Sequence, residues 1–230
     1  MAKIHRFIDN FDLSKKELEI TGEIAHQIIK VLKLKIGEKI ELSDGKGSVA
    51  FAEIKEVSKN VIVKINKIEK EKQENKNVNL FCAILKKENF ELVVQKTTEC
   101  GIDKIIPIIT SRTIKTGLNL ERLKKIAKEA SEQSGRSTIP EISEPINFSK
   151  SLELVKNENN ILFDSSGENY AYFSKDNSPT NIWIGPEGGW NEKEIEEAKK
   201  LNFKIASLGS LTLRGETAAI VATYLVKNLK

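Results

Sequence analysis

Two glycine-rich turns near the end of the chain limit the folds open to it. The first is Gly185-Pro186-Glu187-Gly188-Gly189, and the second is LGSLTLRGETA over residues 208–218. Each turn leads from a strand-like run into a helix-like run. Glycine tolerates positive φ angles and close backbone approach, and proline stiffens a loop. One such turn is an ordinary strand-to-helix connection, but two at strand ends predict a small-molecule pocket lined mostly by backbone.

Strand-like and helix-like segments alternate beyond residue 77. Apolar runs predict strands over residues 78–85, 105–109, 161–164, 181–184 and 203–208. Helical patterns cover residues 88–100, a segment capped by Asn119, a segment from Asn191 to about residue 201, and residues 216–229. Glu194 follows Asn191 at capping-box spacing. This alternation predicts an α/β fold with a mostly parallel sheet and helices on both faces.

The first 70 or so residues have a β pattern instead. They contain one helical segment over residues 22–34 and three strands over residues 39–44, 48–57 and 61–68, with hairpin turns at 44–47 and 59–60. Such a meander closes readily into a small barrel. The run EKEKQENKN over residues 69–77 is charged and lacks apolar side chains, which is typical of a linker. We therefore predict domains over residues 1–72 and 73–230.

Composition and missing motifs exclude several classes of protein. The chain has 230 residues, a net charge of +4 and neither a signal peptide nor a membrane-spanning run. Its two cysteines, Cys82 and Cys100, lie among apolar residues without metal-ligand spacing, as in a reduced cytoplasmic protein. With two histidines we expect no metal site. The phosphate-loop motif and the dinucleotide-binding glycine motif are both absent, which argues against an NTPase or a Rossmann dehydrogenase.

Arginine is rare in this chain. Of its 37 lysines and arginines, only five are arginines: Arg6, Arg112, Arg122, Arg136 and Arg214. An arginine is therefore expected where its planar fork is needed for phosphate, carboxylate or a base edge. Arg122, in mid-helix, has a surface salt bridge as its ordinary role. The other four lie in or beside turns or termini and are candidates for function.

The last predicted helix is apolar on nearly all sides in its first three turns. Its side chains include Ala219, Ile220, Val221, Ala222 and Leu225. A helix of this kind has to be buried on all sides. In a domain of this size, a subunit interface is the expected second surface.

Seven segments in chain order resemble the SPOUT methyltransferases of the RsmE type, which methylate N3 of a uridine in 16S ribosomal RNA. The matching segments lie within residues 5–7, 26–37, 86–101, 106–112, 129–140, 185–189 and 208–218. The resemblance implies an N-terminal PUA-like β-barrel that binds RNA, over residues 1–72. It implies a C-terminal SPOUT domain over residues 73–230, an α/β fold with a trefoil knot. It also implies S-adenosylmethionine as cofactor, 16S rRNA of the small ribosomal subunit as partner, and a homodimer.

The resemblance also implies roles for particular residues. Cofactor binding is expected from Leu162, Gly185, Pro186, Glu187, Gly188, Leu208, Gly209, Leu213 and Thr217. RNA binding is expected from Arg6, Lys33, Lys35, Lys86, Lys87, Arg112 and Arg136. For catalysis we expect Arg214 to stabilise charge on the uridine, with Glu216 or Glu187 orienting it or accepting the proton. The alternative for Arg214 and Glu216 is a structural ion pair.

The chain departs from the family pattern at a few positions. Lys33 replaces an arginine, Cys100 replaces a leucine, and Ser210-Leu211-Thr212-Leu213 replaces a run that contains an arginine. The lost arginine could weaken a contact to RNA or cofactor, but the glycines and Arg214 are retained. Two other functions stay open at this point. The chain could be a SPOUT enzyme for another rRNA or tRNA nucleotide, or an RNA-binding protein without catalysis.

Overall fold

The computed structural model describes residues 4–70, 76–114, 116–155, 159–173 and 178–228. The chain forms two compact units, one of Met1–Gln73 with Ser131–Ile139 and the other of Glu74–Ala130 with Pro140–Lys230. The predicted linker over residues 69–77 falls mostly on residues 71–75, outside the described part. Within that part, none of the helices is long and apolar enough to cross a membrane.

The N-terminal unit is built on a five-stranded sheet. Its strands are β1 (His5–Ile8), β2 (Glu17–Ile20), β3 (Lys39–Ser43), β4 (Ser48–Val57) and β5 (Val61–Lys70), in the order β1-β3-β4-β5-β2. Strand β1 runs parallel to β3, and the other pairs are antiparallel. The three predicted strands are confirmed. The edge strand β2, four residues long, was not predicted.

One core joins both edges of this sheet. Phe7 of β1 and Ile20 of β2 belong to the same buried cluster as Leu42 of β3 and Val63 of β5. Strands β4 and β5 shift register at two points, which bends the long hairpin. Because side chains from opposite edges share one interior, the sheet must curl like a barrel, as predicted.

The predicted helix over residues 22–34 is shorter and partly π-helical. It comprises α1 (Gly22–His26) followed by a π-helical turn at Gln27–Val31. The amide of Leu32 donates to the carbonyl of Gln27, five residues back, at 2.9 Å. The helix then ends at Lys33, whose φ of 53° is left-handed. Ile24 and Ile28 of this segment are buried in the barrel core.

Residues 131–139 complete the N-terminal unit from far along the chain. The Glu132 carboxylate accepts from the buried amide of Ile8 at 2.8 Å. Ser43 Oγ donates to the Ser137 carbonyl at 2.8 Å. Arg6 donates to the Gly135 carbonyl and to Glu41, the latter at 2.8 Å. Arg6, expected to bind RNA, is therefore engaged in holding this unit together.

We predict that Glu132→Ala destabilises the N-terminal unit by about 1–3 kcal/mol, because it leaves the buried Ile8 amide without its acceptor. Urea unfolding and hydrogen exchange at the Ile8 amide would measure this. Glu129→Ala, an exposed position on the same helical segment, is the matched control and should change stability by less than about 0.5 kcal/mol. Equal effects of both variants would contradict the prediction.

The C-terminal unit contains a seven-stranded sheet in which every pair is parallel. Its strands are β6 (Val78–Ala83), β7 (Lys104–Ile109), β8 (Glu141–Ile142), β9 (Ile146–Asn147), β10 (Asn159–Asn169), β11 (Thr180–Ile184) and β12 (Lys204–Ser207). Their order is β12-β10-β11-β6-β7-β8, and β9 also pairs with β7. The parallel sheet and its five longer strands were predicted; β8 and β9 were not.

Within the described residues, five α-helices accompany this sheet: α2 (Lys87–Glu99), α3 (Leu120–Ser134), α4 (Phe148–Leu154), α5 (Glu192–Lys200) and α6 (Gly215–Asn228). The predicted helix starts at Asn119 and Asn191 are confirmed. The Asn119 side chain accepts from the Arg122 amide at 3.0 Å, and Asn191 forms a capping box with Glu194. Helix α4 was not predicted. Residue 229, the predicted end of the last helix, lies outside the described residues.

Aromatic packing fixes one face of this sheet. Trp183 of β11 stacks on Phe81 of β6 with ring centroids 4.1 Å apart. Phe148 and Phe203 contact the same indole at 5.9 and 5.2 Å. Because these strands are parallel and pinned side by side, their carboxyl ends meet at one edge of the sheet, where ligands bind in open α/β folds.

Candidate active site

A cavity of about 680 Å³ opens at the carboxyl ends of β11 and β12, beside the middle of β10. This volume lies within the range of small-molecule sites, about 300–1,000 Å³. Its lining comes from the middle of β10 (residues 163–165), the end of β11 with the first glycine-rich turn (184–190), the second turn with the start of α6 (208–209, 211–216 and Ala218), and Lys86 and Asn89 at the start of α2. The two predicted turns therefore form one pocket.

The first turn is tightly folded on Trp190. A side chain at Gly185 would place its Cβ 3.1 Å from the Trp190 ring, closer than real Cβ contacts normally come. The Trp190 Nε1 donates to the Phe163 carbonyl of β10 at 3.0 Å, which holds the ring in place. Gly189, at a φ of 69°, donates its amide to the Pro186 carbonyl at 2.8 Å. Glycine is needed at 185 for space and favoured at 189 for conformation.

The segment after β7 also holds this turn. Arg112 Nη1 donates to the carbonyls of Gly188 at 2.7 Å and Trp190 at 3.1 Å. The buried Glu194 accepts from the Ser111 amide at 2.8 Å, and Asn191 donates to Ser111 Oγ at 2.7 Å. Arg112, predicted to bind RNA, thus contacts the wall of the cavity.

The second turn passes close to the first at Gly215. A Cβ there would lie 2.9 Å from Leu85 Cδ2 and 3.6 Å from the Gly185 carbonyl oxygen. Gly209, in the same turn, has a φ of 125° that disfavours other residues. The absence of a side chain at residue 215 therefore lets the start of α6 reach the cavity.

The wall formed by β10 was missed from the sequence. Strand β10 pairs with β12 at residues 161–163 and again at 168–169, with a register shift between them. The residues in between bulge out, and Asp164 and Ser165 line the cavity. A Cβ on Gly167 would lie 2.6 Å from the Ala206 amide nitrogen, so only glycine fits the second pairing. The run DSSG at 164–167 was the available signal, because it is rich in turn residues.

The charged groups of the cavity differ in how they are bonded. Glu187 is exposed and accepts from the Lys86 amide at 3.1 Å. Glu216 is only 8% exposed, and its Oε2 has no hydrogen-bond partner among the described residues. Arg214 is exposed and forms no ion pair with them. The structural Arg214–Glu216 ion pair considered from the sequence is therefore not formed.

Cysteine and metal chemistry find no support in the described residues. Burial and the nearby Glu187 carboxylate raise the pKa of the Cys82 thiol, so it stays protonated at neutral pH. No group of three or more histidine, cysteine, aspartate or glutamate side chains in that part of the chain could hold a metal ion.

Most residues expected to bind the cofactor line the cavity: Gly185, Pro186, Glu187, Gly188, Leu208, Gly209 and Leu213. Two do not. Leu162 is fully buried in the hydrophobic core, and Thr217 is exposed on α6 outside the lining. The lining also includes Phe163, Trp190 and Asn89, which the sequence did not single out.

The residues expected to bind RNA fall into three groups. Lys33, Lys35 and Lys87 are exposed and form no salt bridge within the described residues. Lys86 is exposed and lines the cavity. Arg6, Arg112 and Arg136 bond within the protein, Arg136 through Nη2 to Thr138 Oγ1 at 3.3 Å.

Family comparisons place the chain among the RNA methyltransferases. An RNA methyltransferase domain model matches residues 72–227, and an RNA methyltransferase PUA domain model matches residues 20–66. The first match covers most of the chain and includes every residue that lines the cavity. The protein is thus an RNA methyltransferase with an added PUA domain.

Similar proteins narrow this class. The chain is 36% identical to ribosomal RNA small subunit methyltransferase E of Rickettsia conorii, over 94% of this chain and 91% of the relative. It is 29% identical to the protein of that name from Bacillus subtilis, over 92% of each. A crystal structure of the Neisseria gonorrhoeae methyltransferase E bound to S-adenosyl methionine matches with a TM-score of 0.90 at 27% identity, covering 99% of this chain and 98% of that one. The chain belongs to the ribosomal RNA small subunit methyltransferase E family.

The cavity residues fit S-adenosylmethionine, the cofactor of this family. A Cβ at Gly185 would meet the Trp190 ring, and one at Gly215 would meet Leu85, so glycine lets both turns pack tightly and present their backbone groups at the cavity. Glu216 adds a buried carboxylate to this cavity, and its Oε2 accepts no hydrogen bond from the described residues.

We predict that Gly185→Ala lowers cofactor affinity about tenfold or more, because the new methyl group has to displace the hydrogen-bonded Trp190 ring. Calorimetric titration with S-adenosylmethionine would measure this. Gly117→Ala is the matched control, since a Cβ there meets no atom of the described residues within 4 Å. Wild-type affinity in Gly185→Ala would show that Trp190 does not shape the binding site.

Proposed function

We propose that the protein transfers a methyl group from S-adenosylmethionine to N3 of a specific uridine in 16S rRNA of the small ribosomal subunit. The observation that carries this proposal is the cavity between the two glycine-rich turns, where Arg214, without an ion-pair partner in the described part of the chain, lies with Glu216, whose buried Oε2 has no hydrogen-bond partner there. The names of the relatives give the substrate class. Action on that subunit would place the protein in the bacterial cytoplasm.

The reaction needs a proton acceptor. The bound cofactor supplies an electrophilic methyl group, whose carbon–sulfur bond breaks as the new carbon–nitrogen bond forms. The uridine N3 must lose its proton, because the lone pair of the imide nitrogen is delocalised into both carbonyl groups. N3 lies on the Watson–Crick edge, so the target base has to be unpaired or flipped out of a helix.

Arg214 would stabilise the negative charge that develops on the uracil oxygens. Its guanidinium is exposed at the cavity and is not neutralised by any carboxylate of the described residues. A cation at this position acts where charge appears in the transition state. Its two-pronged geometry suits a carbonyl oxygen such as O2 or O4.

Glu216 is the better of the two candidate proton acceptors. Glu216 lines the cavity, and its buried Oε2 has no partner in the described chain, so this carboxylate can take up the N3 proton. Glu187 already accepts from the Lys86 amide and thereby ties the first turn to the start of α2. We assign Glu187 to positioning that turn and Glu216 to proton removal.

We predict that Arg214→Ala lowers kcat by about 10²–10³ while the cofactor Kd stays unchanged, since the lost charge acts in the transition state. We expect Glu216→Gln to lower kcat by about 10²–10⁴. Single-turnover methylation and calorimetry would measure both effects. Glu187→Gln is the comparison variant and should act mainly on cofactor affinity. Normal turnover in Arg214→Ala would remove that residue from catalysis.

The target itself is tested by mapping. Purified protein would be incubated with labelled S-adenosylmethionine and small subunits that lack the native modification. Label at N3 of one 16S uridine supports the proposal. Label on another nucleotide would keep the cofactor and overturn the target. Absence of both label and cofactor binding would indicate an RNA-binding protein without catalysis.

Helix α6 supports a homodimer. One face packs on α2, β6 and β11, where Ala219, Ala222 and Val226 are fully buried. On the other face Tyr224 is 54% exposed, and Val221 and Leu225 are only half-buried. An apolar face of this kind is typical of a surface covered by a second copy.

We predict that Tyr224→Glu shifts a dimer to monomer in analytical ultracentrifugation, because it places a charge in the apolar interface. Leu154→Glu, at another exposed apolar position of the same unit, is the control and should leave the mass unchanged. A wild-type monomer at micromolar concentration would contradict the proposed dimer.

The strand order also supports the trefoil knot expected from the resemblance. Strand β12 lies at the edge of the sheet, yet the following helix α6 packs on β6 and β11 further inside. Residues 208–214 must therefore run back across the carboxyl end of the sheet. Such a return past the first turn is what a knotted C-terminus requires.

A further inference from the structure

Arg112 joins the wall of the cavity to a free surface. Its Nη1 donates to the carbonyls of Gly188 and Trp190 at 2.7 and 3.1 Å. A Cβ on Gly188 would lie 3.5 Å from both Cβ and Cδ of Arg112, so the aliphatic part of the side chain also packs on this turn. One guanidinium nitrogen thus holds two carbonyls of the first glycine-rich turn.

The opposite edge of the same guanidinium is unused. Arg112 is exposed, and its Nε and Nη2 make no hydrogen bond or ion pair to the residues that the structure describes. Arg122 shows what this edge binds: its Nε and Nη2 donate to the two Glu91 oxygens at 2.6 and 2.8 Å. A phosphate offers the same pair of acceptors as a carboxylate.

We infer that Arg112 is a positioning residue that links an RNA phosphate to the cofactor-binding turn. This inference rests on the proposed function. A phosphate on the Nε and Nη2 edge fixes the side chain, and the fixed side chain orders the carbonyls of Gly188 and Trp190. A cofactor that orders the same turn in turn fixes the arginine for the phosphate. RNA and cofactor therefore bind with positive cooperativity, each increasing the affinity of the other by the same factor.

A binding cycle tests this without turnover. The Kd of S-adenosylhomocysteine is measured by calorimetry with and without a 16S rRNA fragment that carries the target. The Kd of the fragment is measured with and without S-adenosylhomocysteine. For the wild type we expect roughly a 5-fold or greater gain in affinity in both directions.

Two variants separate the two edges of the guanidinium. Arg112→Gln can still donate to a turn carbonyl but carries no charge. It should keep most of the cofactor affinity, lose the cooperativity, and reduce the salt dependence of RNA binding by about one phosphate contact. Arg112→Lys keeps the charge without the fork, so it should keep RNA affinity better and also lose the cooperativity. Arg122→Lys is the matched control and should retain wild-type cooperativity.

Several results would overturn the inference. Equal cofactor affinity with and without RNA in the wild type is one, and unchanged cooperativity in both Arg112 variants is another. If inorganic phosphate alone raises cofactor affinity as much as the RNA does, the edge is a site for a free anion. If the protein methylates no RNA but binds RNA and cofactor cooperatively through Arg112, the proposed function is refuted and the link through Arg112 is kept. If it methylates RNA without cooperative binding, the proposed function is kept and the link is refuted.

Discussion

The site depends on how the turn at residues 185–190 is fastened to its neighbours. The turn leaves β11, which lies between β10 and β6, with β7 beyond β6. Three hydrogen bonds from the neighbouring strands and their following segments hold the turn. Trp190 donates to the Phe163 carbonyl of β10, the Lys86 amide after β6 donates to Glu187, and Arg112 after β7 donates to the Gly188 carbonyl. Because all these strands are parallel, their ends lie at one edge. A turn with few side chains of its own is therefore held in place by hydrogen bonds from its neighbours.

Local chemistry made the turns and helix starts predictable. The cap at Asn119 and the capping box at Asn191 need only residues within three positions, and the sequence contains them. Other features depend on distant partners. The bulge of β10 arises because Gly167 lets β10 pair with β12 a second time, after the register shift. Strands β8 and β9 have only two residues each. No periodicity can be read from two residues.

The segment at residues 131–139 shows the same limit at the level of domains. This segment lies within residues 129–140, one of the seven segments that carry the family resemblance, and its sequence position places it in the C-terminal half. In the structure Glu132 and Ser137 bond to β1 and β3, so the segment is part of the N-terminal unit. A boundary drawn from composition could not find this, since the charges that mark a linker do not show which remote backbone groups need partners.

The hydrogen-bond and ion-pair partners of the arginines distinguish structural from functional arginines more clearly than their positions in the sequence do. Arg6 and Arg122 have carboxylate partners, and Arg112 holds two carbonyls. Arg214 has no such partner in the described chain, but leaving an exposed guanidinium unpaired costs little, so this alone is weak evidence. Glu216 is stronger evidence, because a buried carboxylate oxygen without a donor is destabilising. Such a group persists where a ligand supplies its partner, and the cavity beside it is where that ligand would bind.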